Sequence, residues 1–335
     1  MSAGAPQQWL DQVQEPAIDP AQPICDPHHH LWDHPGSRYC LDELLADTNS
    51  GHNVVATVFV ECGAMYRASG AQLLQPVGET EFVNGIAAMS ASGGYGPTQV
   101  AAGIVGFADL TRGAAVGDAL DAHQRVTRRF KGIRHAAGWD ASPEIRNSHS
   151  QPTAQMLASP QFREGFKELG KRSLVFDCWL YHPQLGELYD LARAFPETTI
   201  VLDHFGGPLG VGPYAGQRAE IFTRWREDIV RLAQCPNVVA KLGGLVMAVN
   251  GYGFNKAPTP PSSDELVSAT QDFYHTAIDA FSPARCMFES NFPVDKVSTS
   301  YGVLWNSFKK IAARFSEAEK SAMLCDTAKR VYGLD

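Results

Sequence analysis

The chain has 335 residues, 44% of them hydrophobic, with a formal net charge of −8 and a pI near 5.8. That length allows one barrel-sized domain or two ordinary ones. The acidic balance and the lack of any long Lys/Arg cluster exclude a nucleic-acid footprint, and no apolar run approaches the length of a membrane helix.

Residues 1–23 are rich in Pro and Gln. They lack the basic start and apolar block of a signal peptide, and read as an arm lying along the surface. Residues 24–335 read as a single domain. Seven cysteines (25, 40, 62, 178, 235, 286 and 325) are odd in number, scattered and without a Cys-x-x-Cys pair. That usage points away from a disulfide framework, to a reducing compartment and a cytoplasmic location.

The domain opens with Ile24-Cys25-Asp26-Pro27-His28-His29-His30-Leu31-Trp32, an apolar start followed by an Asp and three His. On a regular strand, alternate residues share a face, so Asp26, His28 and His30 point one way and Pro27 and His29 the other. Two imidazoles so placed can share a metal ion or grip one substrate oxygen.

Further β-branched runs follow at Val54–Cys62, Val100–Ala108, Phe130–Arg134, Ser173–Trp179, Thr199–His204, Val238–Leu242 and Cys286–Ser290. With the first they make eight, repeating about every 37 residues, a length suited to strand, helix and loops. Helices are expected at Pro183–Phe195, Arg218–Cys235, Asp264–Phe281, Tyr301–Phe315 and Ser316–Tyr332. In the second of these, Phe222, Trp225, Ile229 and Leu232 form an amphipathic stripe; Ser316 and Glu319 suit a capping box at the start of the last. Strands apolar throughout are those of a parallel sheet buried on both faces. The expected fold is an α/β protein, a (β/α)8 TIM barrel. A doubly wound sheet is the alternative, but no Gly-x-Gly-x-x-Gly follows an early strand.

In such a barrel, chemistry sits where strands end. Polar residues fall there: His28 and His30, Glu61-Cys62, Arg134-His135, Asp177 with Tyr181 and His182, Asp203-His204, Lys241, and Glu289-Ser290-Asn291. Gly93–Gly96 and Gly206–Gly212 lack the Gly-Lys-Ser/Thr ending of a P-loop and read as barrel loops. Asn250–Ser263 is too long for an ordinary connection and sits on the same rim, where Tyr252 and Phe254 would give a lid with ring-binding character.

Asp-x-His-x-His on the first strand, Asp203-His204-x-Gly on the sixth and Ser290-Asn291-Phe292-Pro293 on the eighth resemble the amidohydrolase superfamily. The resemblance runs from about Ile24 to the C-terminus. It is nearest to the TIM-barrel branch that includes sugar-lactone, sulfomuconolactone and pyrone-dicarboxylate lactonases. It implies a distorted barrel and hydrolysis of a cyclic ester, with or without a divalent metal. The family pattern has Asp where this chain has Asn291, and that Asp accepts the proton of the attacking water. A carboxamide cannot take a proton at neutral pH and is a poor metal ligand beside a carboxylate.

Two repairs are open. His28, His30 and His204 can hold zinc, whose bound water needs little help to ionise, with Asn291 orienting it. Alternatively no metal binds, one imidazole of the trio is the general base and the others polarise the carbonyl. If Asn291 faces the lumen so does Glu289, and a buried carboxylate needs a partner; Lys241 is the expected one, with Glu289 as a displaced base the alternative. Arg134 is the residue suited to fork onto a substrate carboxylate, as members acting on acidic lactones do with an Arg in this region; a bridge to Glu61 or Asp177 is its structural alternative. Glu61 and Tyr252 complete the expected substrate contacts, while Arg67 and Lys296 are weaker sources of positive charge.

The expectation is a hydrolase that opens a small acidic lactone, with a small molecule as partner, no nucleic acid or membrane, and a homo-oligomer left open. A metal-dependent decarboxylase on the same scaffold is the second reading, and a non-catalytic ligand-binding relative the third.

Overall fold

The structure, a computed structural model, describes residues 5–334. Eight strands pair in parallel, each with the next in chain order: β1 Pro23–His29, β2 Asn53–Val60, β3 Gln99–Gly106, β4 Phe130–Arg134, β5 Val175–Cys178, β6 Ile200–Leu202, β7 Val238–Leu242 and β8 Cys286–Phe288. Each is followed by a helix on the outside, from Leu41–Thr48 after β1 to Tyr301–Ala312 after β8. The expected (β/α)8 barrel is therefore present, with β5, β6 and β8 shorter than the apolar runs that announced them.

Closure falls to residues just beyond β8. Asn291 N–H donates to the His28 carbonyl at 2.9 Å, and His30 N–H to the Phe292 carbonyl at 2.8 Å. Asp26 fastens the same seam, accepting from the Ser290 N–H at 2.9 Å and the Tyr301 hydroxyl at 3.0 Å. This corrects the strict alternation expected for β1. The register shifts between Asp26 and His29, and a bulge changes which residues share a face. Cys25 lies with the apolar lumen residues, His30 reaches the cavity above them with His28 packed beneath it, and Asp26 binds the seam instead.

Val58, Val60, Val105, Val175, Val201, Val239 and Met287 fill the N-terminal end of the lumen. Branched residues on alternate positions pack such an interior solid. The chain's last turn completes this plug with Cys325, Ala328 and Tyr332. The single helix expected over Ser316–Tyr332 is in fact Glu317–Ser321, a π-helical turn Ala322–Asp326 and Thr327–Tyr332. Its capping box between Ser316 and Glu319 is present. Two residues further along each strand, the lumen turns from apolar to charged at Asp177, Asp203, Lys241 and Glu289.

The arm before β1 lies against the rim. Trp9 Nε1 donates to the Ala257 and Pro258 carbonyls at 3.1 and 3.2 Å, and Glu15 accepts from the Ser263 N–H at 2.8 Å. Lys309 Nζ holds the Ile18 and Asp19 carbonyls at 2.9 and 2.8 Å. No helix among the described residues is long and apolar enough to cross a membrane.

Candidate active site

A cavity of about 760 Å³ opens at the C-terminal mouth of the barrel. His30, Arg134, His204 and Asn291 line its floor end, Arg146–His149, Trp179 and Tyr181 one wall, and Met247–Val249, Gly251, Gly253, Asn255 and Lys256 the other. The long insert after β7 does shape the pocket, but mainly through backbone and polar residues. Tyr252 is absent from the lining; its ring lies under the Arg218 guanidinium, 3.7 Å from it, and stacks on Phe254. The expected ring-binding role of Tyr252 is corrected accordingly, since cation–π contact holds that face already.

The imidazoles converge as expected. His28 and His204 have ring centroids 4.5 Å apart, and His30 stands edge-on to His28 at 4.9 Å. His204 is held by an unusual backbone: it and Phe205 both adopt left-handed φ, 51° and 59°. Such conformations cost about 1–3 kcal/mol each outside glycine and gather at functional sites. Gly243 and Gly244 after β7 make room: a Cβ on Gly244 would come within 2.4 Å of His204 Nδ1, and one on Gly243 within 2.4 Å of Glu289 Cγ. Asn291 is also left-handed (φ 55°), a region Asn enters more readily than most residues.

Glu289, not His30, is the third member of the tightest group. Among the described residues, possible ligand atoms of His28, His204 and Glu289 all lie within 4.8 Å of one another. Glu289 Oε1 accepts from His204 Nδ1 at 2.6 Å, and Oε2 lies 2.7 Å from His28 Nδ1 without an aligned hydrogen bond. His30 is turned by its Nδ1, which donates to the Val60 carbonyl at 2.7 Å. The carbonyl fixes the tautomer, so Nε2 of His30 carries a bare lone pair.

The expected Lys241–Glu289 pair is the longest of three ion pairs that Lys241 makes. Lys241 Nζ sits 4.0 Å from Glu289 but 2.6 Å from Asp177 Oδ2 and 3.2 Å from Asp203 Oδ1. Tyr332, from the C-terminal turn, donates to the same Asp177 oxygen at 2.7 Å. Arg134 has its fork in use: Nε meets Glu61 Oε1 at 2.9 Å, Nη2 meets the Glu61 carbonyl, and Nη1 lies 3.3 Å from His28 Nε2. Its alternative role, the bridge to Glu61, is thus the one formed, and Glu61 lies beneath the pocket wall instead of lining it. Arg67 pairs with Glu81 and Lys296 with Asp47, both away from the cavity. Asp177 lies wholly inside the lumen, Tyr181 is in the wall and His182 accepts from the Leu209 N–H outside it.

Burial dominates the titration of this region. It pushes His204 down to about 3 and His28 and His30 well below the usual range, with Arg134 adding to each. All three are neutral at pH 7. Burial, opposed by Lys241 and aided by Asp177, raises Glu289 to about 8 and Asp203 to about 6. The lumen is short of positive charge.

Sequence reasoning did not single out His149, on the loop after β4, whose Nε2 lies 2.9 Å from Glu61 Oε2. It also passed over Asp295, which accepts from Asn291 Nδ2 at 3.2 Å. The signal for His149 was indirect: a buried-looking Glu at the end of β2 and an unusually long stretch between Arg134 and the helix Pro160–Gly170.

The amidohydrolase family model matches residues 25–334. The protein y4mH of Sinorhizobium fredii is 34% identical over 331 residues, 92% of this chain and 98% of its own. An L-fucono-1,5-lactonase of Burkholderia multivorans is 29% identical over 234 residues, 70% of this chain and 72% of that protein. A crystal structure of a Burkholderia multivorans amidohydrolase with bound zinc has the same fold, with a TM-score of 0.70 at 24% identity over 93% of this chain and 99% of that one. With the match covering the barrel from β1 to the C-terminal turn, the chain belongs to the amidohydrolase family.

Proposed function

We propose that this hydrolase opens a small, hydroxyl-bearing lactone by attack of water on the carbonyl. The observation that carries the reading is the cluster of neutral imidazoles and Glu289 at and beneath the floor of a cavity whose largely apolar wall carries Arg146, Asn147, His149, Asn255 and Lys256. Ser148 Oγ, buried in that wall, has no hydrogen-bond partner, and Asn147 and Asn255 lie beside the same space. Unpaired polar groups in a pocket favour a ligand that satisfies them. The lactonase relative supports the reaction class. With the Arg134 fork held by Glu61, a carboxylate on the lactone would meet Arg146 or Lys256, which also line the cavity.

The donor set fits a divalent cation. Glu289 Oε2 and both Asp203 oxygens are buried without hydrogen-bond partners, and two His with a carboxylate are ligands that zinc accepts. His28, His204 and Glu289 would hold it, with His30 alongside. Bound there, zinc would supply polarisation of a carbonyl and a water of pKa about 7.

The chain's own groups do the rest. Asn291 has its amide N–H on Asp295, so its oxygen is left to accept from the attacking water. His30 Nε2 is the other acceptor, and of the two only the imidazole can take the proton. Seven buried free thiols support a reducing, cytoplasmic setting.

The test is a panel of sugar 1,4- and 1,5-lactones followed by pH drop, with metal analysis before and after chelation. Ring opening that is lost on chelation and restored by zinc is expected. Release of CO2 from aromatic carboxylates without lactone opening would replace the reading with the decarboxylase, and silence in both with a binding protein.

A further inference from the structure

Opening a lactone needs a proton in a second place. When the C–O bond of the tetrahedral adduct breaks, its electron pair leaves on the ring oxygen. An alkoxide is about as basic as hydroxide, so a positioned acid accelerates its departure. Neutral His28 and His204 hold no proton for it, and His30 holds one only after taking it from the attacking water.

His149 is placed to supply that proton. It lines the cavity, and its side chain keeps 37% of its surface exposed, while the Glu61 that holds it has none. Nε2 of His149 donates to Glu61 Oε2 at 2.9 Å, and Arg134 Nε pins the other carboxylate oxygen at 2.9 Å. Glu61 therefore cannot turn, and the ring it holds has one orientation. Nδ1 makes no hydrogen bond among the described residues, so in the imidazolium form its proton is free for a ligand. The loop is itself fixed beside the ring, with Ser148 N–H on the Gly138 carbonyl at 2.9 Å and Ser150 Oγ on that of Ala136. A base oriented by a buried carboxylate is the arrangement that proton-transfer sites use.

We propose that His149, aimed by Glu61, is the general acid that protonates the departing ring oxygen. The proposal rests on the lactonase reading. As the C–O bond breaks, its electron pair goes to oxygen and the Nδ1 proton forms the new hydroxyl. His149 is left neutral, with its Nε2–H still on Glu61. The proton released by the attacking water returns the ring to imidazolium through solvent at the mouth, so lactone and water give hydroxy acid with nothing left over. The charge environment agrees. Glu61 raises His149 above its usual value, with Glu79 behind it, against burial and the Arg134 charge; His135 faces the same ring from the end of β4.

The experiment compares wild type with His149→Asn on two probes: the alkyl sugar lactone that wild type opens fastest, and dihydrocoumarin, whose phenolate leaving group (pKa about 10) needs little protonation. A fall in kcat/KM of about 10²–10⁴ on the sugar lactone is expected, with the aryl lactone within a few-fold. The basic limb of the wild-type pH profile, where an acid loses its proton, flattens in the variant. Equal loss on both probes, or none on either, overturns the proposal while leaving the lactonase reading in place. A wild type that opens no lactone ends both. Should the pocket refuse the aryl ring, an unchanged basic limb in the variant is the overturning result. His149→Gln carries the same readouts if the Asn variant melts early.

Discussion

Two cation–carboxylate systems meet at His28 and differ in what covers them. Around Lys241, the partners Asp177 and Asp203 are fully buried, and Tyr332 seals them from the N-terminal end. Around Arg134, Glu61 is fully buried but its second partner, His149, reaches the cavity. Both systems use the same chemistry at different depths. Below, no member can exchange its partner, so the charges act as a fixed floor. Above, one member keeps a free nitrogen facing the cavity. The comparison shows how a barrel separates a group that sets the field from a group that can meet a ligand.

The sharpest way to break the lower system is Lys241→Met. It leaves Asp177 and Asp203 buried together without their cation, and removing one partner of such a group costs about 3–5 kcal/mol. Denaturant unfolding should show that loss, and adding Asp177→Asn should recover part of it. A loss under about 1 kcal/mol would mean that water reaches the floor and that the two systems are alike.

Glu61→Gln tests the upper system with a smaller effect, about 2–3 kcal/mol for a buried charged hydrogen bond. The pH dependence carries the distinctive sign. Burial would raise Glu61, but His149 and Arg134 together outweigh it and hold it at about 2, against 4.5 for a free side chain. A depressed carboxylate gives stability that is present above 4.5 and lost as pH falls towards 2. His149, raised by Glu61, gives stability that is present below 6.5 and lost as pH rises through its folded value. Wild type should therefore lose stability on both sides, and Glu61→Gln should flatten both slopes in thermal melts across pH.

This contrast was only half legible in the sequence. Eight apolar runs gave the strand number because burial on both faces leaves each run continuous. Alternation along a single strand also put Glu289 in the lumen. Which lumen groups touch depends on the stagger between strands, which no single strand encodes, so Lys241 was matched to Glu289 alone and its closer partners Asp177 and Asp203 were missed. Alternation failed on β1 itself, where the bulge after Asp26 changes parity. His149 lies on a loop without periodicity, and Tyr332 reaches Asp177 only because a π turn redirects the last helix. Tyr252 was read as a free ring because nothing in its own segment announces Arg218.

Tyr332→Phe is the next test in size. The phenol shares Asp177 Oδ2 with Lys241, so its loss leaves that oxygen one donor short but still paired. About 1–2 kcal/mol of stability should go, with the ring packing kept. Since Lys241 lies 3.2 Å from His28 Nδ1, a shift in the floor is expected to lower kcat without changing KM.

The smallest effect belongs to the arm, and it separates the rim from both buried systems. Trp9 Nε1 bridges the carbonyls of Ala257 and Pro258, next to Asn255 and Lys256 in the cavity wall. Trp9→Phe keeps an apolar ring and removes the donor, at a cost of about 0.5–1.5 kcal/mol. The carbonyls it frees are near solvent, so the lower end of that range is expected. The loop would then sample more positions, and the ordering cost would fall on substrate binding. KM should therefore rise a few-fold while kcat and the pH profile stay as in wild type. A change in kcat or in either pH limb would instead tie the arm to the chemistry, because Arg134, His149 and Lys241 are untouched by the substitution.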